Sequence, residues 1–251
     1  MNKGSDIVKR NVVANWAYAI AVASICFGLC ITPYRTTMAS LSFYGAEKYL
    51  EVWRSNPQAI TRSDYIAAKN AIENAVAYHP SFAFYHDMKS EILQWGRFAG
   101  LEVNTKSTFN DITLLYTHSL TLRTTWAVTW ANMGQQLWYA KPDKLGVLQS
   151  LEYLQNAHRF GQHIPEVHVA WAEIGFHLME RDFSIYLDMQ DLIKLHVIKG
   201  LKHNKVRKQI AESIQSSNNT YITCLWLTQE NANSDKETAL IQSALKRLAC
   251  S

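Results

Sequence analysis

Residues Ala68 to Pro80 read AKNAIENAVAYHP. Ala68, Ile72 and Ala75 fall on one face of a helix, and Pro80 then ends it, so the order is small, large, small, terminator. Small side chains let a paired helix come close while the large one fills the gap beside it, which is the packing rule of stacked helical repeats. The same intervals recur at Ile112, Tyr116, Ser119 and Thr124, and at Ser150, Leu154, Ala157 and Gln162, without the proline. Counted from Ala68, Ile112 and Ser150 the units are 44 and 38 residues apart, longer than a helix-pair repeat of roughly 34 residues, so the loops are expected to carry insertions.

Helical spacing continues on both sides of these units. Tyr65, Ala68, Ile72 and Ala75 face Met88, Ile92 and Trp95 across His79-Pro80. Ile112, Leu115, Tyr116 and Ser119 are followed by Ala127, Ala131, Gly134, Leu137 and Trp138, and Leu151, Leu154 and Ala157 by Val167, Ala170, Trp171, Ile174 and Leu178. Met189, Leu192, Ile193, His196 and Val197 make a further stripe, and Ile241, Ala244, Leu245 and Leu248 close the series. No segment after residue 35 alternates with period two, and Asn-Gly and Asp-Gly are absent. The expected fold is all-α. Trp130, Met133, Gly134 and Leu137 resemble the W-x2-L-G-x2-Y opening of a tetratricopeptide unit, which makes the expected architecture an α-solenoid of antiparallel helix pairs. Loops are expected at Asn104 to Asn110, Gln215 to Thr220 and Leu225 to Asp235, and the basic run Lys199 to Lys208 reads as a solvated face or turn.

The N-terminus carries a different signal. From Asn11 to Tyr34 no residue is charged, and Val12 to Thr32 reads VVANWAYAIAVASICFGLCIT, enough for a helix to cross a bilayer. Trp16, Tyr18 and Tyr34 suit the two interfaces, and Pro33 offers a stop for the helix. Lys3, Lys9 and Arg10 before the span outnumber Arg35 and Lys48 after it, which places the N-terminus in the cytoplasm. The layout is then a cytoplasmic N-terminus (1–11), a transmembrane helix (12–33) and a periplasmic helical-repeat domain (36–251) anchored in a bacterial inner membrane. A cleaved signal peptide ending near Thr37-Met38-Ala39 is the competing reading. Cys26 and Cys30 read as apolar helix residues. Cys224 and Cys250 share the oxidising side in this layout, and spacing does not decide whether they pair.

Composition excludes several classes. A chain of 251 residues with 48% apolar and 18% charged residues, 10 Gly and 5 Pro is neither disordered nor low-complexity. A net charge of +4 without a concentrated basic segment does not indicate nucleic-acid binding. No G-x-S-x-G, Walker or G-x-G-x-x-G motif marks a hydrolase or nucleotide site, and no cofactor is implied. His158, His163 and His168 with Glu166 lack metal-ligand spacing and read as loop polarity, so no metal is expected. Asp182, Asp188 and Asp191 read as helix-start acids more than as the paired carboxylates of a glycosidase. Helical pairs do supply a groove. Counting from Trp130, its lining is Val128, Ala131, Gln135, Trp138 and Tyr139, suited to a peptide segment or a sugar face, with simple packing of Trp138 and Tyr139 on the next helix as the equal alternative.

The stretch Ser119 to Gly134, SLTLRTTWAVTWANMG, resembles the L-R-P-T-W-P-Y-T-W-A-N signature of the VpsP family of polysaccharide biosynthesis proteins. Gly161, Pro165-Glu166-Val167 and Ala172-Glu173-Ile174-Gly175 resemble its later G-P-W-x-P and A-E-I-G segment. Thr124 and Ala127 stand where that family has proline, and Gln162-His163 where it has Pro-Trp. The resemblance implies a role in making or exporting exopolysaccharide or surface polysaccharide in Gram-negative bacteria, and it supplies no catalytic residues. The expectation is therefore a non-enzymatic, membrane-anchored scaffold whose partners are proteins of a polysaccharide machine, of open oligomeric state. The alternatives are a glycan-acting enzyme using carboxylates of the helical domain, and a general periplasmic adaptor.

Overall fold

A computed structural model describes residues 3–102 and 106–250. The side chains of Lys3, Lys9 and Arg10, on which the orientation rests, lie outside the described residues, as do Asn104 and Thr105 of the first expected loop. The described residues form eleven α-helices and one 3-10 turn, with no strand among them. They divide into two compact units, Met1–Glu102 and Val103–Ser251.

The first unit contains α1 (Lys3–Ser55), the turn η1 (Pro57–Ala59), α2 (Arg62–Tyr78) and α3 (Ala83–Phe98). Among the described residues one helix, α1, is long and apolar enough to cross a membrane, and none of its apolar window is buried in the protein. Ile20, Ile25, Phe27 and Leu29 are exposed along it. Pro33 does not end this helix, contrary to the reading from sequence: α1 runs on to Ser55. The physical reason lies beyond the proline. Ala39, Phe43, Ala46, Leu50 and Trp53 form a buried stripe on Tyr65, Ala68, Ile72 and Ala75 of α2, and that burial outweighs the roughly 3 kcal/mol that an internal proline costs. Thr36 and Thr37 donate their hydroxyls back to the carbonyls of Thr32 and Pro33, at 3.0 and 2.9 Å. On α3, Tyr85, Met88 and Ile92 complete the core. The far end of the unit is tied by ions: Arg54 grips Glu91 with two bonds of 2.8 and 2.6 Å, and Glu102 accepts from Tyr65 and Lys69.

The second unit contains α4 (Lys106–Leu122), α5 (Ala127–Ala140), α6 (Lys144–Gly161), α7 (Pro165–Arg181), α8 (Phe183–Lys202), α9 (Arg207–Ser216), α10 (Thr220–Thr228) and α11 (Asp235–Arg247). Short turns make α5 and α6, and α7 and α8, antiparallel hairpins. At α5/α6 the axes come close at one point. A Cβ on Gly134 would stand 3.0 Å from the Leu154 side chain and 3.1 Å from the Ser150 carbonyl, and Ser150 donates its hydroxyl to the Gly134 carbonyl at 2.7 Å. Helix starts are capped by side chains: Asp143 accepts from Gly146 N–H, Asp182 from Ile185 N–H and Ser234 from Glu237 N–H.

Three expectations change here. The loop expected over Asn104 to Asn110 is helical from residue 106, because the buried Ile112 and Tyr116 of α4 need a preceding turn to hold them. Leu225 to Thr228 remains in α10, with the break confined to residues 229–234, and within Gln215 to Thr220 only residues 217–219 are unwound. The basic run is paired as well as solvated. Lys202 is nearly enclosed between Glu230 (2.9 Å) and Glu237 (2.7 Å), which raise its pKa against the opposing effect of burial, and Lys205 reaches Glu166 at 2.7 Å. Cys224 and Cys250 are joined as a disulfide, with Cα atoms 5.7 Å apart, which ties α10 to the chain end behind α11. Cys26 and Cys30 are free and exposed on α1.

Candidate functional site

Helices α5, α7 and α9 lie side by side in the second unit. A polar ladder crosses all three: Gln135 of α5 donates to one carboxylate oxygen of Glu173 on α7 at 2.7 Å, and Gln209 of α9 donates to the other at 3.3 Å. Burial pushes the Glu173 carboxyl up from its ordinary pKa, while the two amides and His177 pull it the other way. Partial burial with both oxygens engaged makes Glu173 a tie between helices, since each acceptor has a donor.

Beside the ladder the last turns of α5 and α7 border a shallow, open cleft of about 430 Å³, lined by Trp138, Tyr139, His177, Glu180 and Arg181. Trp138 is 5% exposed and forms its floor, and Tyr139, 59% exposed, stands at its side. The Arg181 guanidinium lies over the Trp138 ring, 5.3 Å from its centre, a cation held by the negative face of the indole. Burial, and then the charge of Glu173, raises the Tyr139 phenol pKa. The depression thus brings an aromatic wall, a guanidinium, a carboxylate and an imidazole to one open stretch of surface.

Of the five groove residues read from sequence, the cleft brings together Trp138 and Tyr139, and Gln135 belongs to the adjoining ladder. Ala131 is buried in the core, and Val128 is half-buried at the other end of α5, away from the cleft lining. No motif or spacing in the sequence marks His177, Glu180 and Arg181. They sit one helical hairpin further on, and only the packing of α7 against α5 places them there. Asp182 caps α8 as a helix-start acid should, but Asp188 and Asp191 are exposed within the body of α8 instead of at its start.

A second constellation replaces the loop polarity expected of the histidines. His168 and His196 are buried and His158 is half-buried, each on a helix: α6, α7 and α8 contribute one ring apiece. His196 Nε2 pairs with His158 Nδ1 at 3.0 Å and His196 Nδ1 with His168 Nδ1 at 2.8 Å, and the indole of Trp171 stacks on the His196 ring at 5.6 Å. Burial lowers all three pKa values, that of His168 to about 4, with the positive charge of Lys199 adding to the effect. Because His196 uses opposite ring nitrogens, the set is a hydrogen-bonded chain and its lone pairs do not converge. Among the described residues no group of three or more His, Cys, Asp or Glu is placed to hold a metal ion. His163, read from sequence with His158 and His168, is exposed in the turn before α7.

No protein-family model matches this sequence, and no curated protein is detectably similar to it.

Proposed function

We propose that this chain is a membrane-anchored helical-repeat scaffold that holds protein partners of a polysaccharide synthesis or export machine and makes or breaks no bond itself. The observation that carries the reading is the row α5, α7, α9, in which the first helices of the two hairpins and the helix that follows them lie side by side. In a tetratricopeptide-like solenoid such helices line the concave face, and the Gln135, Glu173, Gln209 ladder runs across that row. The cleft beside it then receives a partner segment at Tyr139 and Arg181.

Anchorage by α1 gives the mechanism: a tether confines the groove near the membrane machine and raises the effective concentration of weakly binding segments. The Cys224 and Cys250 bond supports an oxidising compartment, which for a bacterial inner-membrane protein with a cytoplasmic N-terminus is the periplasm. The polysaccharide assignment rests on the resemblance of Ser119 to Gly134 to the VpsP-type signature.

A photo-crosslinking residue in place of Tyr139 in the full-length protein tests this in native membranes. Crosslinks to glycosyltransferase or export components, lost when Arg181→Ala is added, are expected. Turnover of a saccharide by the purified protein, abolished by Glu180→Gln, would refute the scaffold reading.

A further inference from the structure

We propose that the turn between α2 and α3 is a membrane-contact surface, with Phe82 seated in the headgroup layer of the bilayer that α1 crosses. The inference rests on reading α1 as the membrane span, and it concerns the first unit only.

Arg35 sets the level of the turn. It is the first charged residue after the apolar stretch of α1, so along a helix rising about 1.5 Å per residue it stands at the edge of the hydrocarbon. Its guanidinium donates to the carbonyls of Tyr78 (3.1 Å) and Ala77 (3.4 Å), the end of α2. Helix α2 has no basic residue in its own last turn, so Arg35 supplies the cation for that negative helix end. The clamp holds the α2–α3 turn beside residue 35, within the interfacial layer, which is roughly 5 to 8 Å deep on each side of the hydrocarbon.

The charge distribution of the three helices points the same way, independently of the clamp. In α1 the residues from Thr36 to Ala46 are uncharged, and Glu47, Lys48, Glu51 and Arg54 follow at the far end. In α2 the charged residues are Arg62, Asp64, Lys69 and Glu73, with none from Asn74 to its end; the charges of α3 begin only at Asp87. All three helices therefore present a charge-free end toward the membrane, apart from Arg35. That end is also apolar. Phe82 is 45% exposed in the turn, and Tyr34 is exposed on α1. Aromatic rings exposed at this depth suit the headgroup region, where their apolar faces leave water and their edges stay near polar groups.

Side-chain contacts hold the turn in this pose. His86 Nε2 donates to the Pro80 carbonyl at 2.6 Å, and the Phe82 ring stacks on His79 and meets the edge of the buried Tyr85 at 4.7 Å. The inner side of Phe82 is thus occupied, and its outer face is left to the lipid.

Nitroxide labels on single cysteines test the proposal in the full chain, with Cys26→Ala and Cys30→Ala in place and the Cys224 to Cys250 bond retained. The protein is reconstituted in phosphatidylcholine vesicles, and collision with oxygen is compared with collision with a water-soluble nickel chelate. A label at Phe82 is expected to favour oxygen several-fold over a label at Ile66, which is 48% exposed near the charged end of α2. If Phe82 and Ile66 give the same ratio while a label at Phe27 reads deep in the hydrocarbon, this inference is wrong and the span stands. If Phe27 itself reads as aqueous, both fall.

Discussion

Acidification is expected to loosen the second unit through its histidine chain. His168 is buried on α7 with its pKa lowered to about 4 by burial, and an unfolded histidine titrates near 6.5. A base whose folded pKa is depressed takes up its proton first in the unfolded state, so stability is full above pH 6.5 and declines as pH falls from there toward 4. Linkage at pH 5 amounts to about 2 kcal/mol for His168, and access of water from the half-buried His158 side brings the expected loss to about 1 to 2 kcal/mol. The neighbours do not reverse the sign: Lys199, His203 and His163 oppose a charge on His168, Glu166 alone favours it, and His158 and His196 are shifted in the same direction. Hydrogen exchange over α7 and α8, corrected for intrinsic rates, is the assay. Protection in the wild type should fall between pH 7.5 and 5, and in His168→Gln it should start lower and depend less on pH. An equal pH slope in the two proteins, or protection that grows with acid, would refute the reasoning.

Three further outcomes follow from packing. Trp138→Ala should cost about 3 to 5 kcal/mol because the indole is core, whereas the neighbouring Tyr139→Ala should stay within about 0.5 kcal/mol; denaturant melts compare them. Gly134→Val should lose about 1 to 3 kcal/mol, since its side chain meets Leu154 and the Ser150 carbonyl, and a midpoint matching the wild type would mean that α5 and α6 are further apart. Opening the bridge across its 26-residue separation by Cys224→Ser should cost about 3 kcal/mol and speed exchange in α10 and α11, with reductant giving the same result in the wild type.

The helical stripes were legible because they obey a local rule. Ala68, Ile72 and Ala75 are fully buried, as are Leu154, Ala157, Ala170 and Trp171, each from a spacing visible within one helix. Pro33 misled for an equally physical reason: a proline penalty is local, while the burial of Ala39 to Trp53 that overcomes it is tertiary. His196 was placed on an apolar stripe by spacing alone, and a buried imidazole there requires partners. Which histidines would meet it was not legible, because His158 and His168 come from helices separated from it by 38 and 28 residues. The cleft shows the same division. Trp138 and Tyr139 are adjacent in sequence, and about 100° of helical rotation sends one into the core and the other to water.

Sequence by itself determined that the chain is helical, where most of its helices turn, and that one of them is long and apolar enough for a membrane, because periodicity and charge are properties of neighbouring residues. Only the tertiary structure decided that Gln135 and Gln209 share Glu173, that Arg181 lies on Trp138, that Arg35 clamps the end of α2 and that Cys224 joins Cys250. Those pairings depend on which helices pack together and at what height, and the energy that settles this is gathered from whole buried faces and not from any short run of residues.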